Sequence, residues 1–357
     1  MHTISFRTRL AGSTLSAITA AVALLLGMSA PASASQASEA LIVTASNLAT
    51  NQLLVFSPAG TLLQTLPTQG QGGVSGNAGG VAAHHGRVAV VNFGSNNVSV
   101  FVRSEGHGEG HAGFRLEKVV PTYGSPVSVA FGDDHLYVLT TTQIESHAIG
   151  HGGVATTADG SAQLLHADGT AAQVGVVHGE LVITEKSNAI ETVNLDARGA
   201  VSGAVSSVTN LPANIDTPLG LATRGNEAYV TIAHADETSL VRHNMVLTTT
   251  GSGTQHAPCW LALDGAFLYS ANSPSKSVSR YAVYGQHIVQ DAAVVAQFTG
   301  GPTDIAVRGG LAAVIDGAGT QSRVSVFNVD QDGNFTQRSV ATLNSKATNG
   351  VAIVAGD

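Results

Sequence analysis

The chain has 357 residues, of which 43% are hydrophobic and 11% are charged, a composition that excludes a disordered protein because disordered chains are polar and rich in charge. The formal net charge of −8 disfavours a nucleic acid as a partner. A single cysteine, Cys259, excludes a disulfide within the chain and any metal site made only of cysteines.

The first 34 residues have the pattern of a secretory signal peptide. Arg7 and Arg9 form a short basic region, an apolar run follows that is clearest over 17–26, and an A-x-A cleavage signal lies at 32–34. We expect a mature protein that begins at Ser35, is secreted or periplasmic, and has no membrane span after cleavage. An uncleaved N-terminal anchor is the alternative.

The remainder, residues 35–357, repeats one pattern of short strands. Each copy contains an apolar strand, a turn with a glycine, a second apolar strand, a polar loop and a third strand with alternating residues. Six copies begin at Val81, Val127, Gln173, Leu219, Cys259 and Thr303. Weaker fourth strands are predicted at 61–66, 115–120, 204–208 and 292–298. Four strands in a unit of about 40–50 residues are typical of a β-propeller blade.

The two ends of this region each hold part of one further copy. Strands are predicted over 41–56, and a last apolar segment lies at 350–355. A blade assembled from both segments would close a ring through strand hydrogen bonds, whereas a solenoid would need a capping repeat at each end. The sequence therefore predicts a single all-β domain, a seven-bladed β-propeller closed by a blade shared between the N- and C-terminal segments.

Three segments of the repeats are distinctive: 173–193, which contains V-I-T-E-K at 182–186, A-P-C-W at 257–260, and L-Y-S-A-N at 268–272. They resemble the bacterial lactonase-type seven-bladed β-propellers, the family of 6-phosphogluconolactonase and the 3-carboxymuconate cyclase-like proteins. The resemblance covers nearly all of 35–357 and is best for the secreted subgroup. It implies an exported lactonase-like hydrolase that hydrolyses or isomerises a lactone at the mouth of the central channel.

A fold does not determine a reaction, and two other functions therefore remain open. One is a non-catalytic extracellular propeller that binds a small ligand or a protein through the same face. The other is a structural surface protein. We expect a monomer in each case.

The candidate site residues lie in the loops between the second and third strands and in the connections to the next blade, which share one face of a propeller. Carboxylates and imidazoles in this position are suited to general acid–base catalysis. The expected catalytic residues are Glu185, His256 and His234. The expected substrate-binding residues are Lys186, Asn92, Asn272, Lys276, Trp260, Asp304 and Asp316. Asn47, Asp236 and Asn349 belong to the same face.

Each candidate also has a structural interpretation. Glu185 and Lys186 are adjacent at a strand end and point to opposite sides, so at most one of them faces the channel. The histidines could form hydrogen bonds within a junction between blades, and Trp260 could pack between blades. Cys259 is expected to be buried and inert.

No cofactor and no metal site are predicted, although oxygen ligands from Asp304 and Asp316 could bind a hard cation such as Ca²⁺. His107 and His111 could bind Zn²⁺, but their glycine-rich loop is predicted away from the mouth. The segment 330–334 is predicted to be a hairpin turn. None of the arginines is placed at the mouth, which disfavours a highly anionic lactone.

Overall fold

The computed structural model describes residues 40–76, 79–104 and 113–355. The predicted signal peptide and the segment that holds His107 and His111 lie outside these residues. Seven antiparallel sheets make up the described part of the chain. No helix in that part is long and apolar enough to cross a membrane.

Each sheet is one blade, and the strands of a blade follow one another from the channel outwards. Blade 1 contains β29 (Asn349–Val354), β1 (Leu41–Ala45), β2 (Gln52–Phe56) and β3 (Leu62–Pro67). Blade 2 contains β4 (Val81–His84), β5 (Arg87–Asn92), β6 (Asn97–Ser104) and β7 (Gly113–Pro121). Blade 3 contains β8 (Pro126–Phe131), β9 (His135–Thr140), β10 (Gln143–Gly150), β11 (Gly153–Val154) and β12 (Gly160–Gln163).

The remaining four blades have four strands each. Blade 4 contains β13 (Ala171–Val177), β14 (Glu180–Glu185), β15 (Ala189–Leu195) and β16 (Val201–Ser207). Blade 5 contains β17 (Pro218–Arg224), β18 (Glu227–Ile232), β19 (Glu237–Arg242) and β20 (Met245–Gly251). Blade 6 contains β21 (Pro258–Asp264), β22 (Phe267–Asn272), β23 (Ser277–Tyr284) and β24 (His287–Gln297). Blade 7 contains β25 (Gly301–Arg308), β26 (Leu311–Ala318), β27 (Gln321–Val329) and β28 (Phe335–Leu343).

The first strands of the blades form a closed ring, because each contacts the first strand of the next blade and β25 contacts β29. All seven of these strands line a central channel cavity of about 320 Å³. The predicted seven-bladed propeller is therefore confirmed.

The blade shared between the two ends of the chain is also confirmed. The C-terminal segment contributes one strand to it, and the N-terminal segment contributes three. Strands β1 and β29 are antiparallel, with Leu41 opposite Val354 and Val43 opposite Ala352. Both strands are almost entirely apolar and buried, as expected for strands with a neighbouring blade on each face. The apolar sequence at both chain ends therefore forms the ring closure.

The core lies between neighbouring blades and follows from residue alternation along each strand. In β14, Leu181 and Ile183 pack toward blade 3, whereas Val182 packs toward blade 5. The four predicted outer strands are present as β3, β7, β16 and β24. Strand β3 is shifted by one residue from its predicted bounds, and the other three begin earlier than predicted. Blade 3 is irregular, since β11 and β12 pair with different parts of β10.

Candidate functional site

The rim of the mouth at blade 5 contains two imidazole–carboxylate pairs. In the connection from blade 5 to blade 6, Nδ1 of His256 lies 2.9 Å from Oδ2 of Asp236. In the loop after β18, Nδ1 of His234 lies 3.3 Å from Oδ1 of Asp216 and 3.0 Å from Oγ1 of Thr217. The two histidine side chains are 68% and 63% exposed, so a solute can reach both rings.

The Asp236 carboxylate contacts two consecutive residues, His256 and Ala257. Its Oδ1 accepts the Ala257 amide at 2.7 Å, while Oδ2 faces His256. Partial burial raises the pKa of Asp236, but the bonds from Ala257 and His256 outweigh that effect, and the net result is a lowered pKa. Asp236 therefore remains an anion that orients the His256 ring.

Two residues beside these pairs have backbone conformations that are unusual for their type. Thr217 has a φ of 56° and Ala257 has a φ of 48°, and each directly precedes the proline that begins a first strand. Residues before proline favour extended conformations, and a β-branched residue rarely adopts a positive φ. The Asn188 side chain accepts the Thr217 amide, as Asp236 does for Ala257. Such backbone strain is found preferentially at functional sites.

Glu185 ends β14 on the neighbouring blade and is completely buried. Oε2 accepts a hydrogen bond of 3.4 Å from the Thr170 hydroxyl, and Oε1 has no partner among the described residues. Burial, together with the nearby Glu191 and Asp168 carboxylates, raises the pKa of Glu185 to about 8, against the opposing effects of Thr170 and Lys186. The carboxyl thus points into the blade wall.

Lys186 points the other way, as its adjacency to Glu185 predicts. Its Nζ lies 3.4 Å from the Gly76 carbonyl, in the glycine-rich connection between blades 1 and 2. Burial lowers the pKa of Lys186, against the opposing charge of Glu185. In the same connection, Val74 is buried and both its amide and its carbonyl bond to the Asn47 side chain. This connection therefore covers part of the mouth.

Asn92 and Asn272 have equivalent places in blades 2 and 6, and both are completely buried. The Asn92 amide donates to Asn97 and Ser99, and the Asn272 amide donates to Ser277 and Ser279. These bonds join the second strand of each blade to the third. The geometry gives both asparagines a structural role, and their contact with a substrate stays a prediction.

Asp316 and Asp304 are also engaged within the fold. Asp316 is completely buried, forms an ion pair with Arg323 and accepts the Gly300 amide at 3.1 Å. Asp304 lines the channel, where its oxygens accept the Ile305 amide at 2.8 Å and the Val351 amide at 3.0 Å. Because Val351 belongs to β29, Asp304 fastens the C-terminal strand to blade 7.

The other candidates separate into buried and exposed residues. Trp260 is buried in the apolar cluster between blades 6 and 7, and its Nε1 has no partner within the described residues. Cys259 is buried, and burial raises the pKa of its thiol to about 11, which makes it a poor nucleophile. Lys276 is exposed in the loop after β22.

The charged groups of the described residues do not form a metal site. In that part of the chain, no group of three or more histidine, cysteine, aspartate or glutamate side chains is arranged to hold a metal ion.

Lys346, which sequence reasoning did not place at the mouth, is exposed in the connection from blade 7 to blade 1.

Sequence reasoning also missed Asp216 and Thr217, the partners of His234. A signal was present, because Thr217-Pro218 and Ala257-Pro258 precede the first strand in two successive repeats. In both blades the positive-φ residue follows one member of a histidine–aspartate pair, Asp216 in blade 5 and His256 in blade 6. The partners, His234 and Asp236, both lie in the loop after β18.

The chain is a seven-bladed β-propeller, and two exposed histidine–aspartate pairs lie at the rim of blade 5. No family model matches the chain, and no curated protein matches it. Many solved structures match the chain, and three of them that have the same fold at low sequence identity are described below.

The first similar structure is a protein of Bacteroides fragilis provisionally assigned as a 6-phosphogluconolactonase, with a TM-score of 0.64 and 15% identity over 90% of this chain and 99% of its own. A protein of Bacteroides uniformis with the same provisional assignment has a TM-score of 0.62 and 13% identity over 88% and 100%. A streptogramin B lyase has a TM-score of 0.58 and 14% identity over 78% and 87%. At these identities the likeness establishes the propeller fold alone.

Proposed function

We propose that this protein is an exported, lactonase-like propeller enzyme that opens a lactone by proton transfer at the rim of blade 5. The observation that carries the proposal is the 2.9 Å contact between Nδ1 of His256 and Oδ2 of Asp236 at the open mouth. The provisional assignment of two similar structures as 6-phosphogluconolactonases agrees with lactone hydrolysis, whereas the third is named as a lyase.

The pair fixes which nitrogen of His256 is available for the reaction. A carboxylate only accepts hydrogen bonds, so the Nδ1 that faces Asp236 carries the proton of the neutral ring, and Nε2 presents a lone pair. Nε2 has no partner among the described residues. Asp236 is a positioning residue in this arrangement, and its negative charge stabilises the imidazolium that forms during the reaction.

The proposed reaction proceeds in two proton transfers. Nε2 of His256 takes a proton from a water molecule while the water oxygen adds to the lactone carbonyl carbon. The ring C–O bond then breaks, and the departing alkoxide takes the proton back from Nε2 to give a hydroxy acid. His234, oriented by Asp216 and Thr217, is the second imidazole at the same rim. Only its imidazolium form, with both ring nitrogens protonated, can donate a hydrogen bond to the carbonyl oxygen.

A substrate of low charge fits the mouth better than a phosphorylated one. Arg323 is committed to the buried Asp316, and Lys186 bonds to Gly76. The exposed lysines of the rim, Lys276 and Lys346, are single charges on different connections. A phosphate group is held best by an arginine fork, which this rim does not offer among its described residues.

One observation favours a non-catalytic binding protein as the second candidate. The glycine-rich connection between blades 1 and 2 reaches Lys186 of blade 4 through the Gly76 carbonyl, whereas the His234 and His256 side chains of the rim are exposed. In that case the same histidine and aspartate side chains would contact a bound ligand or a protein without transferring a proton.

Hydrolysis of a lactone panel by the mature protein tests the proposal, with γ-butyrolactone, δ-valerolactone and dihydrocoumarin as substrates. We expect His256→Ala to lower kcat by at least about a hundredfold, since general-base catalysis contributes about 10²–10⁴-fold. His287→Ala is the matched control, because His287 is an exposed histidine in the β23–β24 hairpin on the other face. Activity that His256→Ala and His234→Ala leave unchanged would refute the site. No activity on any lactone would favour the binding protein.

Export is tested separately from catalysis. We expect expression in a secreting host to give an extracytoplasmic protein whose N-terminal residue is Ser35 by mass spectrometry. A full-length chain retained in the membrane fraction would instead support an uncleaved anchor.

A further inference from the structure

A second cavity lies on the face opposite the mouth, between blades 3 and 4. Its volume is about 450 Å³. The walls are the turn at 132–135, the end of β13 with its turn at 176–179, and the turn at 195–199. None of the residues assigned to the mouth contributes to it, so this cavity is independent of the proposed lactone site.

The cavity has an excess of negative charge. Asp133, Asp134 and Asp196 line it together with Arg198, and Arg198 is already paired with Asp196 at 3.2 Å. Asp133 and Asp134 are exposed. Burial, together with the surrounding carboxylates, including these three, raises the pKa of the Tyr137 phenol to about 12. The walls therefore attract a cation.

One largely buried side chain in this wall has a ring nitrogen to which no described residue bonds. The His135 side chain is only 5% exposed, and its Nε2 lies 2.8 Å from Oδ2 of Asp159. Ser146 donates a hydrogen bond of 2.7 Å to the other oxygen of Asp159 and so fixes the carboxylate. Nδ1 of His135 has no partner among the described residues. It lies beside Gly199, where a Cβ atom would approach to 2.9 Å.

The Asp159 contact determines what Nδ1 can bind. Since the carboxylate accepts from Nε2, the neutral ring keeps its proton there, and Nδ1 presents a lone pair that accepts a hydrogen bond. A ligand matched to this cavity therefore carries positive charge and donates an N–H bond. A bare metal ion fits less well, because no three ligating side chains converge anywhere in the described residues.

We propose that this cavity is a binding site for a small molecule with a protonated amine, which donates to Nδ1 of His135 while Asp133 and Asp134 supply the counter-charge. The carboxylates of the wall attract the positive charge of the amine, and the buried His135 imidazole orients the amine through one hydrogen bond. The site is separate from the mouth and does not depend on lactone chemistry.

Isothermal titration calorimetry with putrescine and spermidine tests this site, with 1,4-butanediol as the uncharged analogue of putrescine. We expect one molecule of either amine to bind per chain and 1,4-butanediol not to bind. The double substitution Asp133→Asn/Asp134→Asn removes two exposed charges at nearly constant size, and we expect it to weaken amine binding at least tenfold. His135→Asn should weaken it as well.

Two controls make the result specific. Asp264→Asn removes one carboxylate from the equivalent turn of blade 6, and His256→Ala alters the mouth; both should bind the amines like the parent. Equal weakening by Asp264→Asn would reduce the effect to general surface charge and overturn the proposal. Absence of amine binding at millimolar concentration would also overturn it, as would Zn²⁺ binding that depends on His135 while amine binding does not.

Discussion

Glu185 and Asp316 occupy the same position in two blades but have opposite electrostatic surroundings. Each is the sixth residue of the second strand of its blade, and each is completely buried. Asp316 has an ion pair with Arg323 on the adjacent strand and a bond from the Gly300 amide. Glu185 has a long bond from Thr170 and a second carboxylate, Glu191, on its adjacent strand.

The difference shows where the fold leaves a charge uncompensated. A buried carboxyl without a counter-ion keeps its proton to a higher pH, and ionising it costs stability. Blade 4, which carries Glu185, joins the rim of blade 5 through the bond from Thr217 to Asn188. Strongly shifted groups are enriched at functional sites. The comparison therefore identifies Glu185, in the blade next to the two histidine–aspartate pairs, as a buried carboxyl without a counter-ion.

The largest loss of stability is expected when Asp316 loses its counter-ion and is left uncompensated, as Glu185 is. Arg323→Ala leaves a completely buried carboxylate without its counter-ion, which costs about 3–5 kcal/mol. Urea unfolding at pH 7 measures the loss. Arg198→Ala breaks an exposed ion pair and should cost less than about 1 kcal/mol. Equal effects of the two substitutions would contradict the comparison.

Asp304 is an intermediate case, since it has no counter-ion but accepts two amides. Burial raises its pKa to about 7 against the bonds from Ile305 and Val351. Asp304→Ala leaves both amides without a partner and should lower the free energy of unfolding by roughly 2 kcal/mol. Asp304→Asn keeps an acceptor and should lose less. If the two variants unfold alike, the bonds to β29 contribute nothing to ring closure.

Removing the uncompensated charge should stabilise the protein at alkaline pH. Glu185 keeps its proton in the folded state up to about pH 8, whereas its ordinary pKa is 4.5. Folding therefore binds a proton between these values, and the stability contributed by this group falls as the pH rises from about 4.5 to 8. Glu185→Gln should be more stable than the parent by roughly 1–3 kcal/mol at pH 8 and about equal at pH 4.

Thermal unfolding from pH 4 to 9 measures this difference. Glu180→Gln is the comparison variant: Glu180 begins the same strand and is only partly buried. Burial also raises the pKa of Glu180, so we expect a smaller stabilisation in the same direction. A parent and a Glu185→Gln variant with parallel pH profiles would show that Glu185 is ionised throughout and is compensated after all.

The smallest effect is expected from Lys186, whose charge opposes the shift of Glu185. Lys186→Met removes that charge, so the pKa of Glu185 should rise further. The midpoint of the stability change should then move to higher pH, while the stability at pH 5 changes by less than about 0.5 kcal/mol. A midpoint that stays in place would show that Lys186 does not act on Glu185.

The sequence predicted the fold because its determinants are local and repeat. Turn glycines and strand alternation recur in every copy, and the apolar segments 41–56 and 350–355 were left to pair with each other. The sequence around Asn92 and Asn272 also contains the partners of their side chains. Each asparagine is followed by a polar residue five positions later and by a serine seven positions later. Those are the residues that their amides bind.

The candidate site was only partly predictable, because its contacts join blades. The meeting of Asp236 with Ala257, and that of Asn188 with Thr217, depends on how connections of neighbouring blades lie against each other. The sequence predicted Glu185 as a catalytic residue, but the burial of its side chain in the blade wall depends on the strand register. The cavity at His135 had no sequence signal, since its walls come from three separate turns.

The most direct measurement is the titration of Glu185 itself. In protein labelled with ¹³C at glutamate side-chain carboxyls, the resonance that disappears in Glu185→Gln reports this group alone. We expect it to titrate with a midpoint near pH 8, because the carboxyl is buried beside Glu191 and Asp168. A midpoint below pH 5 would show that the surroundings compensate the charge of Glu185, as Arg323 compensates that of Asp316, and would contradict the account.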